Sequence, residues 1–426
     1  MFRVIIIGAG PSGLSLANML VASGVDFIVL ERYHTVLAET GTVITLWPHS
    51  VRVLDQLGLL DTAVRDSLNL LSRGIMNHDG KAISNDPVFK WIKENHGYPC
   101  LHYPRPCLTR ALYNALGPFR SRIRTSVLIK DIETDEHEVR VLLRDGTMEV
   151  GSIVIGADGV HSQTRRIMQR FTEADQTVPP EKEAVAVYQC MFGSAPQVPG
   201  STEGVFWESR GRHIATQCAT ADNKTYFAVY RRMKTAVRQP CTFDGNDESN
   251  FLNDTGHIFV APGVTIESLR RCCHWTRLTL QPEGSVKFWH HGRIALCGDA
   301  AVQMTSLGGM GYNLALQMAV VLVNKITGLV LHRPEPTFQD IVGMFTEYQE
   351  VCQVESQVIS QFSATYIRGV TGASWVSWFF FKYIAPYVWG EREMTVKIGH
   401  DIISRGWKLD IGSGDLESGT IPWTRR

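Results

Sequence analysis

An apolar segment at the start of the chain runs directly into a glycine-rich turn, and this feature restricts the fold most. Residues 2–7 are apolar apart from one arginine, and Gly8, Gly10 and Gly13 follow in the spacing Gly-x-Gly-x-x-Gly. In a strand-turn-helix unit the first glycine permits a tight turn, the second lets the backbone approach a pyrophosphate, and the third lets the helix pack closely on the strand. The pattern predicts a buried parallel strand followed by a helix over residues 12–23.

An acidic residue at the end of the next apolar segment extends this pattern. Residues 26–30 predict a second strand that ends on Glu31, eighteen residues after Gly13. A carboxylate there can accept the hydroxyl protons of an adenosine ribose, whereas an arginine or serine would suit a 2'-phosphate. The pyrophosphate would then meet free N–H groups at the helix N-terminus. The sequence predicts a dinucleotide site, and for Glu31 taken alone a solvated strand end is the alternative.

Charge and cysteine content exclude several function classes. The chain has 42 basic and 42 acidic residues and no basic block, so nucleic acid is not an expected partner. Its nine cysteines form an odd, scattered set without a Cys-x-x-Cys pair, which argues for a reducing compartment and against disulfides or a zinc site. The apolar N-terminal segment enters the glycine turn instead of a cleavage site, so we expect no signal peptide and a cytoplasmic protein.

A densely aromatic segment, residues 373–389, bears on membrane contact. As a helix its 17 residues would reach about 26 Å, which is less than the ~30 Å hydrocarbon core, and Lys382 and Pro386 interrupt it. A transmembrane span is therefore disfavoured. We expect the segment to pack against the body of the protein, and peripheral membrane association is the alternative.

The order of elements predicts a nucleotide-binding domain with a second domain inserted into it. Between about residues 181 and 289 five segments alternate as strands, which is typical of a largely antiparallel sheet. Residues 293–297 then read as a buried strand and residues 312–331 as a long helix, while the polar residues 237–254 are expected to form a surface loop. The predicted organisation is a nucleotide-binding domain over 1–180 with strands of the second domain interleaved, the second domain over 181–289, a return to the first domain over 290–335, and a helical region over 336–426.

Two further motifs follow later in the chain. Residues 154–165 read Val-Ile-Gly-Ala-Asp-Gly-Val-His-Ser-Gln-Thr-Arg, and residues 298–301 read Gly-Asp-Ala-Ala. In order and spacing, these and the N-terminal glycines resemble the three fingerprints of the group A flavin monooxygenases, which have the p-hydroxybenzoate hydroxylase fold. Over most of the chain the sequence pattern is similar to that of the fungal members that epoxidise or hydroxylate prenylated and terpenoid compounds. The resemblance implies an α/β fold with an FAD-binding Rossmann-like domain, an inserted, mainly antiparallel substrate domain and a C-terminal helical region.

The resemblance also implies roles for individual residues. Asp299 would accept a ribityl hydroxyl, Arg105 would contact the flavin chain or pyrophosphate, and Asp158 would tie a strand to a helix near the FAD and the NAD(P)H approach. For Arg105 the alternative is a surface salt bridge, and for Asp158 a simple turn. Residues 309–311 would face the N1/O2 edge of the isoalloxazine, where helix N–H groups favour negative charge. The cofactor-binding candidates are Gly8, Gly10, Gly13, Glu31, Thr45, Arg105, Asp158, Asp299, Gly311 and Tyr312.

The number of dinucleotide fingerprints bears on the reductant. Only one is present, so no separate Rossmann domain for NADPH is expected. In the family the nicotinamide binds transiently over a mobile flavin, and reduced FAD then uses O2 to oxygenate an electron-rich carbon. The predicted function is FAD-dependent epoxidation or hydroxylation of a hydrophobic prenylated or terpenoid secondary metabolite with NAD(P)H and O2.

Departures from the family pattern lie on the reacting face. Where family members commonly have a histidine, a proline and an acid, this chain has Val302, Ser306 and Gln317/Met318. FAD binding should survive, because Asp299 and the glycine turn remain, but oxygen activation is less secure. The alternative is a flavoprotein that retains FAD and catalyses a non-redox cyclisation or isomerisation of a terpenoid. A flavin-dependent oxidase or dehydrogenase of a related fold is a more distant option.

The catalytic side chains are not fixed by the sequence. The floor of the substrate cavity would come from aromatic residues of the inserted domain, although any of them can equally be plain core. Tyr226 or Tyr230 would donate a hydrogen bond, and Arg210 or Arg231 would orient an acidic or carbonyl group. The aromatic candidates are Trp207, Tyr226, Phe227, Tyr230 and Phe288.

Overall fold

The computed structural model describes residues 2–39, 41–173, 184–238, 241–373, 379, 390–411 and 418–425. Its α-helices in chain order are α1 (Pro11–Ala22), α2 (Pro48–Gln56), α3 (Leu60–Asp66), α4 (Val88–His96), α5 (Arg105–Ala115), α6 (Gln163–Glu173), α7 (Gly245–Thr255), α8 (Ile266–Arg270), α9 (Gly311–His332), α10 (Phe338–Val370) and α11 (Glu391–Asp401). Short 3-10 helices cover Gly117–Arg122, Gly298–Ala300, Ser306–Gly308 and Ile403–Arg405.

The strands alternate with these helices along the chain. The first seven are β1 (Arg3–Ile7), β2 (Asp26–Leu30), β3 (Val43–Leu46), β4 (Ser72–Asn77), β5 (Ala82–Asp86), β6 (Leu101–Pro104) and β7 (Ile123–Arg124). The next seven are β8 (Ile129–Thr134), β9 (Val139–Leu143), β10 (Met148–Gly151), β11 (Ile153–Gly156), β12 (Val185–Pro196), β13 (Val205–Arg210) and β14 (Ile214–Ala221). The last seven are β15 (Lys224–Val237), β16 (Phe259–Ala261), β17 (Val264–Thr265), β18 (Trp275–Ser285), β19 (His290–His291), β20 (Ile294–Leu296) and β21 (Val302–Gln303).

A six-stranded sheet forms the nucleotide-binding part, in the order β19-β20-β11-β1-β2-β7. β1 lies between β11 and β2 and is parallel to both, and β20 is parallel to β11. Its central strands are continuous apolar segments because both faces of a parallel sheet are covered. The helix predicted over residues 12–23 is α1, and the predicted strand over residues 26–30 is β2. The carboxyl ends of β1, β11 and β20 therefore lie side by side.

An eight-stranded, mainly antiparallel sheet forms the second part, in the order β21-β18-β12-β15-β14-β13-β4-β5. The five strands expected between residues 181 and 289 are present as β12 to β15 and β18. Two strands from early in the chain, β4 and β5, extend the sheet, and β4 pairs with β13 in parallel. The chain thus leaves the nucleotide-binding part more than once. The domain boundaries themselves stay predictions.

The loop expected over residues 237–254 is wrong in its second half, where α7 begins at Gly245. Asp244 caps this helix by accepting the backbone N–H groups of Asn246 and Asp247, and Asp247 accepts from the Asp244 backbone in return. Phe251 and Leu252 are buried on one side of the helix. The polar composition therefore described a capped N-terminus and a solvated helix face, and not a loop.

The C-terminal part contributes α10 and α11, whereas most of residues 373–389 lies outside the described residues. The expected packing of that segment against the body of the protein, and the alternative of membrane contact, therefore both stay predictions. One described helix, α9, is long and apolar enough to cross a bilayer, with 22 residues and a mean hydropathy of 1.9, but 61% of its most apolar window is buried inside the protein. It packs against α1 and α10, as a core helix does.

Candidate active site

The three sequence motifs meet at the carboxyl edge of the parallel sheet. They follow β1, β11 and β20, which are neighbouring strands. A Cβ added at Gly8 would lie 2.8 Å from the Ala157 carbonyl oxygen, and one added at Gly298 would lie 3.4 Å from Ser12 Oγ. The motifs are thus in direct contact, as a single shared binding site requires.

The N-terminal glycines differ in what surrounds them. A Cβ at Gly13 would lie 1.9 Å from the Gly8 carbonyl oxygen, so this position has room only for hydrogen. Gly8 has a φ of 101°, which favours glycine. At Gly10 an added Cβ meets no atom within 4 Å among the described residues, and no side chain caps the first turn of α1. Gly10 therefore borders open space beside free helix N–H groups, which suits a pyrophosphate.

Glu31 lies at the end of β2 and is buried. Its Oε2 accepts the Ala9 N–H at 2.7 Å, and its Oε1 accepts the Tyr33 N–H at 2.8 Å. A carboxylate has about four acceptor sites, so two remain for ribose hydroxyls. The solvated strand end considered as an alternative is wrong, because both oxygens hold the backbone around the glycine turn.

Asp299 lies in the short 3-10 helix after β20, beside the N-terminus of α9. Its side chain is solvent-accessible, and the carboxylate has no hydrogen-bond or ion-pair partner among the described residues. The surrounding protein raises its pKa by desolvation, which the charges of Arg105 and Arg165 partly oppose. A Cβ at Gly311 would lie 4.0 Å from Asp299 Oδ1. This carboxylate is thus exposed, with its acceptor sites free, at the edge of the sheet where the three motifs meet.

Arg105 is the first residue of α5, and its side chain is exposed. Its backbone N–H donates to the Thr42 carbonyl at 2.8 Å. Within the described part of the chain it makes no ion pair, so the surface salt bridge considered as an alternative does not form there. The charge of Arg105 lowers the pKa of Asp299, so the two side chains lie within electrostatic range of each other.

Asp158 and Tyr312 contact protein partners. Asp158 accepts from Ser162 Oγ and from the backbone N–H groups of Gln163 and Thr164, and so it caps α6. The predicted tie from strand to helix is therefore present, although its place in cofactor binding stays a prediction. The Tyr312 hydroxyl forms a 2.8 Å hydrogen bond with Ser15 Oγ, which links α9 to α1.

Thr45 lies on β3, opposite the turn that precedes α9. A Cβ at Gly309 would lie 2.9 Å from Thr45 Cβ, and Gly309 has a φ of 63°. The Asn313 amide donates to the Thr45 and Gly309 carbonyls at 2.7 Å each and accepts the Trp47 N–H at 2.9 Å. Asn313 was absent from the predicted site, although its place in the Gly-x-Gly-x-Asn pattern was the available signal.

A cavity of about 150 Å³ lies between the antiparallel sheet and this turn. Thr45, Trp47 and Gly309 line one side, and aromatic side chains of the sheet and of α10 line much of the remainder. The Trp47 indole N–H is buried without a partner among the described residues. The aromatic members of the wall are Trp47, Phe89, Phe192, Phe206, Tyr226, Phe227, Tyr230, Phe362 and Tyr366.

Tyr230 is held to the turn by Ser306, one of the departures from the family pattern. Ser306 donates its N–H and its hydroxyl to Gln281 Oε1 at 3.0 and 2.8 Å. The Tyr230 hydroxyl lies 3.0 Å from Ser306 Oγ and must donate to it, because the Ser306 proton is already given to Gln281. Burial raises the pKa of Tyr230 well above its ordinary value. Tyr230 is thus a fixed, protonated side chain of the cavity wall.

The other substrate-side candidates divide into two groups. Tyr226 and Phe227 line the cavity, whereas Trp207 and Phe288 are not among its lining residues. Trp207 packs in the core instead, where a Cβ at Gly74 would lie 2.2 Å from its ring. Arg210 does not line the cavity and forms an ion pair with Glu208 at 2.8 Å. Arg231 pairs with Asp254 at 3.0 Å on the outside of the sheet.

The remaining departures lie in packed surroundings. Val302 is buried in β21 and pairs with Ser285 of β18. Gln317 donates to the His49 carbonyl at 3.2 Å and accepts the Trp407 N–H. Since this position both donates and accepts, a carboxylate in its place would lose the bond to His49.

Comparison with known proteins agrees with this geometry. Residues 1–333 match the profile of the FAD binding domain family. The chain is 31% identical to the FAD-dependent monooxygenase srdH of Neurospora crassa, over 100% of this chain and 99% of that protein. It belongs to the FAD-dependent monooxygenases. The monooxygenase penE of Penicillium thymicola is 27% identical over 97% of this chain and 86% of that protein.

Solved structures share the fold of this monooxygenase. Klebsiella pneumoniae HpxO, in complex with FAD and uric acid, superposes with a TM-score of 0.73 at 21% identity, over 94% of this chain and 97% of that one. The predicted fold class and the FAD cofactor are confirmed, and the resemblance to group A flavin monooxygenases is confirmed with them. The open space at Gly10 and the unpartnered Asp299 carboxylate suit FAD, and their roles in holding it stay predictions.

Proposed function

We propose that this monooxygenase inserts one oxygen atom of O2 into a hydrophobic, isoprenoid-derived secondary metabolite, with NAD(P)H as reductant. One observation carries the proposal: the turn over residues 306–311 borders both the cavity and the Asp299 carboxylate. Gly309 lines the apolar cavity, while Gly311 lies beside the Asp299 carboxylate. A cofactor bound at Asp299 would therefore present its reactive end to the cavity.

The protein side of the reaction follows from the contacts around that turn. Bound FAD would supply the redox chemistry, carrying two electrons from NAD(P)H to O2. Glu31 and Asp299 would hold the ribose and ribityl hydroxyls, and the N-terminus of α9 would favour negative charge at the adjacent ring edge. Gln217 donates to the Leu307 carbonyl at 2.8 Å, and with Gln281 it fixes the turn to the floor of the cavity.

The substrate class is inferred from the cavity wall. Most lining residues are aliphatic or aromatic, and such a wall binds an extended apolar body and keeps water out. The two relatives compared above are named as monooxygenases of fungi, which supports a small-molecule substrate. Epoxidation of an alkene and hydroxylation of an electron-rich carbon both remain within this proposal.

The test uses the FAD-loaded enzyme and a farnesylated phenol. We expect a yellow protein whose NADPH oxidation rises when the farnesylated phenol is added. The product should carry one oxygen-18 atom after reaction under oxygen-18 gas, and none should form without O2. Turnover under anaerobic conditions without NADPH would overturn the proposal in favour of a non-redox cyclisation. A protein that stays colourless after incubation with FAD would overturn both.

A further inference from the structure

One end of the cavity is polar, in contrast to the rest of its wall. Four charged side chains and a tyrosine meet there, and Arg73, Glu208 and Tyr366 of this group line the cavity. They come from β4, β13, α10 and α11. We call Arg73, Glu208, Arg210, Tyr366 and Glu391 the polar cluster.

Glu208 is the centre of the polar cluster and is fully buried. It accepts hydrogen bonds from Arg73 at 3.1 Å, from Arg210 at 2.8 Å and from the Tyr366 hydroxyl at 2.7 Å. Arg73 also donates to Glu391 at 3.0 Å and to the Tyr366 oxygen. Every oxygen of Glu208 therefore has a charged or polar partner, as a buried carboxylate needs.

The charges within the polar cluster balance. Burial by itself would raise the pKa of Glu208, but the charges of Arg73 and Arg210 outweigh it and lower the pKa to about 2. Burial raises the pKa of Tyr366, so its hydroxyl stays protonated. Two cations face two anions, and no net charge is left over to attract an ionised substrate.

Arg73 nevertheless has donors to spare. A guanidinium carries five N–H groups and accepts no hydrogen bond. Three of these groups are used by Glu208, Glu391 and Tyr366, which leaves two without a partner among the described residues. Because Arg73 lines the cavity, its spare N–H groups are the donors that the polar cluster can offer to a molecule there.

The polar cluster lies close to the reacting end of the cavity. The Phe362 and Tyr366 rings stack on the same face of α10, with centroids 5.9 Å apart and planes 7° apart. A Cβ at Gly308 would lie 3.7 Å from Phe362. Phe362, which lies beside the turn over residues 306–311, is thus about one helical turn, roughly 5.4 Å, from Tyr366 along α10.

We propose that Arg73 is a specificity-determining residue that anchors an uncharged oxygen acceptor of the substrate, such as a ketone, ester or amide carbonyl. The apolar body of the substrate then lies along Phe362 and Tyr366, and the anchor sets which carbon reaches the turn over residues 306–311. The inference rests on the proposed function, because it assigns the substrate class within the same cavity.

The first test needs no variant. The FAD-loaded protein is titrated with farnesylacetone, which is a ketone with a terpenoid chain, and with the hydrocarbon in which CH₂ replaces its carbonyl. Binding is followed by quenching of tryptophan fluorescence, because Trp47 lines the cavity. We expect the ketone to bind roughly 10-fold more tightly than the hydrocarbon, as one hydrogen bond from a charged donor predicts. Equal affinities would overturn the inference.

The second test replaces the charged guanidinium with a shorter, neutral amide and keeps the net charge of the polar cluster unchanged. In the double variant Arg73→Gln/Glu391→Gln the ketone preference should fall to within about twofold, while the hydrocarbon binds as before. The matched control is Arg368→Gln/Glu283→Gln, an ion pair between α10 and β18 whose residues do not line the cavity. The control should keep the preference.

The outcomes separate this inference from the proposed function. A variant that keeps the ketone preference overturns the role of Arg73, even if the enzyme oxygenates a farnesylated phenol. If the variant fails to fold, equal affinities of the wild-type protein for the ketone and the hydrocarbon would still overturn the inference. A wild-type protein that prefers the ketone but shows no oxygenation would leave the anchor standing and remove the proposed function.

Discussion

The cofactor side and the substrate side of this enzyme are built in different ways. On the cofactor side the surfaces are backbone turns that follow three neighbouring strands, and their key residues are glycines and two carboxylates. On the substrate side the polar cluster joins side chains from four elements, and the bonded pair Arg73 and Glu391 lie 318 positions apart. The first side is specified by short motifs, and the second only by the way distant elements pack.

The largest expected effect separates two glycines of one motif. Gly13→Ala should lower the free energy of unfolding by about 3 kcal/mol, because its Cβ would lie 1.9 Å from a backbone oxygen that cannot move aside. Gly10→Ala should leave the apoprotein as stable as wild type and weaken FAD binding, because its Cβ would enter the open space at the N-terminus of α1. Chemical denaturation and FAD titration measure the two. Equal destabilisation by both substitutions would contradict the assignment of Gly10 to the cofactor-binding site.

The next effect concerns Asp299 and its dependence on pH. Desolvation raises its pKa above the ordinary 3.8, so protonation removes the hydroxyl acceptor at a higher pH than usual. FAD affinity should therefore be high above this pKa and fall as the pH decreases through it. Asp299→Asn should bind FAD roughly 10-fold more weakly at neutral pH and lose that pH dependence.

The apoprotein provides the control for Asp299. A raised carboxyl pKa means that the ionised form destabilises the folded apoprotein above that pKa. Asp299→Asn should then leave the apoprotein at neutral pH at least as stable as wild type, as measured by thermal unfolding without FAD. Wild-type FAD affinity in this variant would show that Asp299 does not hold the cofactor.

A smaller effect tests the departure at Ser306. The preceding residue, Thr305, has extended backbone with φ of −63° and ψ of 143°, which a following proline accepts. Ser306→Pro should nevertheless lower stability by about 2 kcal/mol, because Gln281 Oε1 loses both of its donors from residue 306. Ser306→Ala keeps the N–H donor and should lose about half as much. A stabilising Ser306→Pro would show that the hydrogen-bonded turn has no energetic role.

The smallest effect distinguishes the two tyrosines proposed from the sequence. Tyr230→Phe removes the bond to Ser306 and should lower the free energy of unfolding by about 1 kcal/mol. The Tyr226 hydroxyl has no hydrogen-bond partner in the described ranges, so Tyr226→Phe should change stability by less than about 0.5 kcal/mol. Both are measured by denaturant titration of the same preparation. A reversal of this order would contradict the hydrogen-bond pattern at Ser306.

Sequence patterns predicted elements whose signals are local. The strand, turn and helix at the N-terminus, the helix α9 and the five strands of the inserted sheet each have their own periodicity. The helix α7 was missed because its capping residues, Asp244 and Asp247, resemble loop composition. Asn313 was overlooked because its function is to bridge Thr45, Gly309 and Trp47, and only Gly309 lies near it in the sequence.

By itself the sequence determined the family, the cofactor and the meeting of three motifs at one edge of the sheet, because glycine spacing and strand ends dictate a backbone geometry within a few residues. The tertiary structure decided that Ser306 is hydrogen-bonded to Tyr230, that Arg210 does not line the cavity, and that Arg73 does. Those assignments depend on which side chains face each other after distant elements pack. A buried charge must then find its partner wherever the fold places one, and no local pattern records that choice.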